Sequence, residues 1–80
     1  MDTLKETVDG MLSEDYKERF KAEYHQLRIR YNKLHMMVTH WDKLQFTPTC
    51  SKELYQKQLE YMFKYMDILR IRAVLEHVEL

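Results

Sequence analysis

The chain has 80 residues, with thirteen bases balanced by thirteen acids, one cysteine, one glycine and one proline. That length bounds it to one domain; a single cysteine excludes an intrachain disulfide, and zero formal charge argues against a generic nucleic-acid coat or a polybasic membrane anchor. The near absence of glycine and proline predicts helix, because sheets need turn residues far more often. The aromatic content and balanced charge exclude a disordered segment.

In chain order, Thr3-Leu4-Lys5-Glu6 has the spacing of a capping box, a hydroxyl followed three residues later by a carboxylate. Leu4, Val8 and Met11 follow at helical spacing, which predicts a short N-terminal helix or tail over residues 1–12. So short a helix is marginal alone and needs a surface to lie on. Ser13-Glu14-Asp15 is a stronger start signal, with Ser13 as the expected cap, and opens a helix over residues 14–44. Arg19 and Glu23 make a favourable i,i+4 pair on its outer face. Along this stretch Phe20, Tyr24, Leu27, Tyr31, Leu34, Val38 and Trp41 recur in alternating steps of four and three, the seam of a helix that packs along its length against others.

Residues 45–51 are the one clear break, with Pro48 disfavouring helix at Thr47 and Phe46 expected to fold back as a plug. Ser51 caps a second helix over residues 52–77. That helix has two apolar faces. One is Tyr55, Leu59, Met62, Met66, Leu69 and Ala73, suited to the first helix. The other is Leu54, Tyr61, Tyr65, Ile68 and Leu75, with Gln58 and Arg72 in the same row. A lone pair of helices leaves that second face wet, and an exposed apolar strip marks an interface. The expected fold is therefore all-α: one domain, 1–80, an antiparallel two-helix hairpin with a short N-terminal helix, assembling into a helical-bundle homo-oligomer.

Charge is uneven. Residues 1–15 carry one base against five acids, residues 16–45 seven bases against three acids, and residues 46–80 five of each. This favours head-to-tail contacts between copies, or an anionic guest on the central segment. No apolar run approaches the roughly 20 residues of a membrane span, and the N-terminus lacks the basic start and apolar stretch of a secretion signal. The expected location is cytoplasmic.

Candidate chemistry is sparse. His25, His35, His40 and His77 contain no pair at i,i+3 or i,i+4, and Cys50 stands alone in the loop, so no metal site and no cofactor are expected. There is no phosphate-cradling glycine loop and no nucleophile elbow, so no catalytic residues are assigned and the protein is expected not to be an enzyme. What remains is basic plus aromatic: Arg28, Arg30 and Lys33 beside Tyr31, and Arg70 and Arg72 near Tyr65. Arginine forks grip phosphate and tyrosine rings stack on bases. A plainer reading makes the first three a solvated face and gives Arg72 an interhelical salt bridge, for example to Glu23.

The segments Leu12-Ser13-Glu14-Asp15-Tyr16-Lys17-Glu18-Arg19, Tyr31-Asn32-Lys33-Leu34-His35 and Phe46-Thr47-Pro48-Thr49-Cys50, then Gln58-Leu59 with Met62, Tyr65, Ile68-Leu69 and Arg72, resemble small proteins of tailed phages and prophages, a group named after a reading frame of a crAss-like phage. The resemblance covers about residues 12–75; Ser51 stands where relatives are expected to carry proline, and residues 1–11 look like an extension. It implies a small phage accessory protein acting against host defence in an infected or lysogenic bacterial cell. Some such proteins bind a defence protein; others are oligomeric sponges for cyclic nucleotide signals. The first functional expectation is a sponge that holds a cyclic di- or trinucleotide between protomers through Arg28, Arg30, Lys33 and Arg72, with Tyr31 or Tyr65 stacking. The alternative is an inhibitor or adaptor that docks a host or phage protein through Leu54, Tyr61, Tyr65, Ile68 and Leu75.

Overall fold

The two long stretches free of glycine and proline become the two long helices. In the computed structural model, which describes residues 2–80, a 3-10 turn at Lys5–Thr7 leads into α1 (Val8–Met11); α2 is Tyr16–Thr39, a second 3-10 turn spans Trp41–Lys43, and α3 is Lys52–Glu76. No strand occurs among the described residues.

The helix ends are set by specific groups. Asp15, not Ser13, caps α2: its backbone is extended and its carboxylate accepts from the Lys17 N–H at 2.9 Å. Ser13 acts one step earlier, its hydroxyl accepting from the Asp15 N–H at 3.0 Å. Its carbonyl takes the Arg19 guanidinium at 2.8 Å, which draws Arg19 away from the expected pairing with Glu23. At the far end α2 stops at Thr39, five residues short of expectation. The His40 ring Nδ1 lies 2.9 Å from the Met36 carbonyl oxygen, and the following turn swings Trp41 onto Tyr55, ring centroids 6.0 Å apart. Trp41 thus closes the corner, and Phe46, expected to plug it, stays exposed. Ser51 caps α3 as predicted, accepting from the Leu54 N–H at 3.2 Å. α3 ends at a left-handed His77 (φ 56°, ψ 44°), with the Val78 N–H bonded to the Ala73 carbonyl at 2.9 Å. This is a Schellman-type stop, and it folds Val78 into the core.

The predicted seam forms. Phe20 and Tyr24 of α2 meet Met66, Leu69 and Ala73 of α3, with Leu27 and Tyr31 packed alongside. Leu69 is fully buried. Contacts run in opposite order along the two helices: Tyr16 with Glu76, Tyr24 with Arg70, Tyr31 with Phe63.

A second face of α2, carrying buried Ala22 and Ile29, is covered by the N-terminal arm. Gly10 sits so close that a Cβ there would stand 3.0 Å from the Ala22 Cβ and 3.3 Å from the Glu18 carbonyl oxygen. Thr7 is fully buried, its hydroxyl satisfied by the Leu4 carbonyl at 2.6 Å. Half of the expected capping box forms: Thr3 Oγ1 accepts from the Glu6 N–H at 3.3 Å, while the Glu6 carboxylate accepts from the Thr3 hydroxyl at 3.0 Å in place of the Thr3 backbone N–H. The acidic first segment therefore lies along the basic helix of its own chain, with no ion pair between the two among the described residues.

Two outcomes follow. His77→Gly relieves a left-handed non-glycine backbone and raises stability by roughly 0.5–1 kcal/mol, read by urea denaturation. Gly10→Val cannot be accommodated against Ala22; amide exchange by mass spectrometry then rises across residues 3–12 while α3 keeps its protection, and an arm that stays protected refutes this account of its docking.

Candidate functional site

Every seventh residue of a packed helix returns to nearly the same side. On one edge of the seam this brings Tyr16, Glu23 and Arg30 of α2 level with Arg72, Tyr65 and Gln58 of α3, in three successive rungs.

The first rung is closed. Arg72 Nε donates to Glu76 Oε2 at 3.0 Å and its Nη2 to the Tyr16 hydroxyl oxygen at 2.8 Å. The Tyr16 hydroxyl in turn donates to Glu76 Oε1 at 2.6 Å. The guanidinium carbon lies 4.8 Å from the centroid of the Phe20 ring. The hydrogen bond from Tyr16, and then the charge-assisted one from Arg72, hold the Glu76 carboxyl below its ordinary range. The same bond to the Glu76 carboxylate raises the Tyr16 hydroxyl, and Glu76 raises Arg72. The interhelical salt bridge considered for Arg72, to Glu23, is replaced by this cluster, because Glu23 is taken at the second rung. There the Tyr65 hydroxyl donates to Glu23 Oε2, which raises the tyrosine pKa.

The third rung is open. Arg30 and Gln58 share a cleft of about 470 Å³ whose lining also includes Lys33, Tyr55 and the apolar side chains of Leu4, Leu34, Met37 and Met62. Arg30 and Lys33 stand one turn apart on α2, both exposed, and neither has a hydrogen bond or ion pair among the described residues. Apolar walls with a few converging polar groups are the usual makeup of a small-molecule site, and the volume falls in the range of roughly 300–1,000 Å³ for such sites.

The other sequence-predicted residues lie apart from the cleft lining. Arg28 is half-buried with its Nε 3.4 Å from His25 Nδ1; burial, then the Arg28 charge, depress the His25 pKa. Tyr31 stacks on His35 at 5.7 Å and tilts against Phe63 at 6.3 Å. Arg72 lies two heptads from Arg30 along the seam, about 21 Å at 1.5 Å per residue. The residues proposed for an interface are all on the surface, from Tyr65 at 43% exposed to Leu75 at 73%. Sequence reading assigned Leu34, Tyr55 and Met62 to the seam and took Gln58 for a polar interruption; Leu4 and Met37 gave no signal as lining residues. The available hint was that Arg30 and Met37 each stand one residue before a seam position, Tyr31 and Val38, and flank the seam residue Leu34 at four and three. Among the described residues no group of three potential metal ligands converges, and no helix is long and apolar enough to cross a membrane.

A family model matches residues 14–75, spanning all of α2, α3 but for its last residue, and both cleft cations. The chain belongs to the Sequestin family. Neither a curated protein nor a solved structure matches the chain. The N-terminal arm falls outside the matched span, so of the cleft residues only Leu4 lies beyond the family portion.

The first rung carries a pH dependence of definite sign. Because the Glu76 carboxyl is depressed in the folded state, the stability it contributes is complete above the ordinary carboxylate range, about pH 4.3, and fades as pH falls below it. Tyr16→Phe removes the leading cause. The Glu76 titration followed by NMR then moves up toward the ordinary value, and the deficit in melting temperature relative to wild type shrinks on acidification; an unmoved Glu76 midpoint refutes the assignment.

Proposed function

We propose that this protein is a non-enzymatic sequestering protein: helical-hairpin protomers associate and hold a cyclic nucleotide immune signal at the Arg30–Lys33 cleft, in a pocket shared between protomers. The observation that carries the reading is the open third rung, where two cations without internal partners face an apolar cleft of ligand size. Arg30 offers a planar fork to a phosphate and Lys33 a point charge one turn away. Tyr55 supplies an aromatic ring and Gln58 an amide able to read a base edge. No carboxylate, imidazole or thiol belongs to the lining, which suits holding a nucleotide rather than turning it over. The family name, Sequestin, denotes sequestration, and the resemblance to phage accessory proteins gives such an activity its setting, the cytoplasm of an infected or lysogenic cell.

A second reading keeps the exposed face of α3 for a host defence protein. The exposure of Tyr61, Ile68 and Leu75 supports it, but that face says nothing of why Arg30 and Lys33 are left unneutralised at the cleft.

Isothermal titration against cyclic mono-, di- and triadenylates and the corresponding guanylates tests the first reading. The expected result is saturable binding of one of these at fixed stoichiometry, with the nucleotide recovered unchanged by mass spectrometry. Arg30→Glu/Lys33→Glu, at two exposed positions that leave the helix intact by circular dichroism, weakens that binding about 100-fold or more, as loss of two charge-assisted contacts requires. Silence across the panel overturns the reading.

A further inference from the structure

The row from Leu54 to Leu75 on α3 has the spacing of a second packing seam, in steps of four and three, and α2 does not cover it. We propose that a second copy of this chain covers it, antiparallel about a twofold axis near Tyr65, and that each copy thereby delivers its Arg72 to the other's cleft. The role given to Arg72 rests on the nucleotide reading above; the pairing rests on geometry alone.

The occupant follows from the row's own symmetry. Its midpoint falls between Lys64 and Tyr65. Reversed about that point, Leu54 meets Leu75 and Tyr61 meets Ile68, and the two polar members, Gln58 and Arg72, come within one residue of direct opposition, about 1.5 Å along the helix. A twofold interface requires this self-complementarity. A parallel pairing instead sets Arg72 against Arg72, two like charges in a desolvated row. The row is about 32 Å long at helical rise. Its apolar side chains expose on the order of 600 Å² per copy, so two copies reach the roughly 1,200 Å² at which specific interfaces begin.

The consequence for the cleft comes from Gln58, which belongs both to this row and to the cleft lining. Within one chain Arg72 lies two heptads from Arg30. In the antiparallel pair the partner's Arg72 comes level with Gln58, at the cleft mouth, and adds a third cation to Arg30 and Lys33. Its guanidinium is held in place by Phe20, Tyr16 and Glu76, which engage Nε and Nη2 and leave the Nη1 edge unbonded. A phosphate-rich ring lying between the copies would meet all three cations.

Two cysteine variants in a Cys50→Ser background test the pairing without any nucleotide: Leu54→Cys and Leu75→Cys, both at exposed positions, treated with a short bismaleimide. The expected result is a crosslinked dimer from the mixture and none from either variant alone. Crosslinking of each variant with itself, or none in any combination, overturns the proposal. The role of Arg72 is tested by mixing Arg72→Gln protein with Arg30→Glu/Lys33→Glu protein and titrating with the cyclic adenylates and guanylates that wild type is tested against. Each variant alone loses binding about tenfold or more, and an equimolar mixture recovers it at about a quarter of the wild-type stoichiometry, because about half of the randomly formed pairs are mixed and only one cleft of each mixed pair unites intact Arg30 and Lys33 with the partner's Arg72. A mixture that recovers nothing overturns the sharing. Crosslinking together with a wild type that binds no member of the panel upholds the pairing and removes the nucleotide reading instead.

Discussion

Heptad spacing obliges every seventh residue of α2 to face every seventh residue of α3 along one edge of their seam, and the rest of the molecule depends on how those meetings are resolved. Tyr16 and Arg72 resolve theirs with Glu76 as a third member, and Glu23 and Tyr65 resolve theirs directly. Arg30 and Gln58 make no hydrogen bond to each other, the neutral amide leaves the guanidinium without a counter-charge, and Lys33 beside it adds a second cation to the same side. The outcome is a closed, rigid edge at one end of the helix pair and an open cleft toward the other.

The apolar part of the seam is thin. It centres on Phe20, Tyr24, Met66, Leu69, Ala73 and Val78, a small core for two helices of 24 and 25 residues. Small domains have little stability to spare, and the polar edge contacts hold register where apolar area is short. The N-terminal arm adds a second layer on the far side of α2. It is joined by a close backbone approach at Gly10 and Ala22 rather than by large side chains, and it reaches the cleft with one residue, Leu4. The family match stops short of the arm. The two helices are thus the shared device, and the arm trims one wall of the cleft in this chain.

Much of this was legible in the residues. Alternating steps of four and three fixed the seam from Phe20 to Trp41, and a second row on α3 with the same spacing had to be left outside once the first was used. Arg30 and Lys33 stood out as cations beside aromatics. What could not be read was which rung stays open, since that depends on whether two side chains reach each other in space. Arg72 and Arg30 look alike in sequence, yet one is held through Nε and Nη2 by Glu76 and Tyr16 and the other is not. Gln58 read as a spoiled seam position because a neutral amide gives no sign of lining a cleft. The early end of α2 was hidden because neither glycine nor proline marks it; a histidine ring at the Met36 carbonyl does the work. Val78 was missed because it follows the helix, carried into the core by a left-handed His77.

The distribution of tyrosine explains how a chain with no net charge presents a cationic cleft. Glu23 and Glu76 sit on the same edge as Arg30 and Arg72, and free carboxylates there would repel an anionic guest. Each instead accepts a tyrosine hydroxyl, from Tyr65 and Tyr16, and Glu76 takes the Arg72 guanidinium as well. The acids are occupied where the edge is closed, and no acid belongs to the lining where it is open. Of the two, only Glu76 is neutralised, by Arg72; Glu23 keeps its charge, held by Tyr65 one heptad, about 10 Å, along the helix from Arg30. Along some 20 Å of helix the same four-three spacing first places its carboxylates against hydroxyls and a guanidinium, then leaves Arg30 and Lys33 at the cleft without a carboxylate beside them.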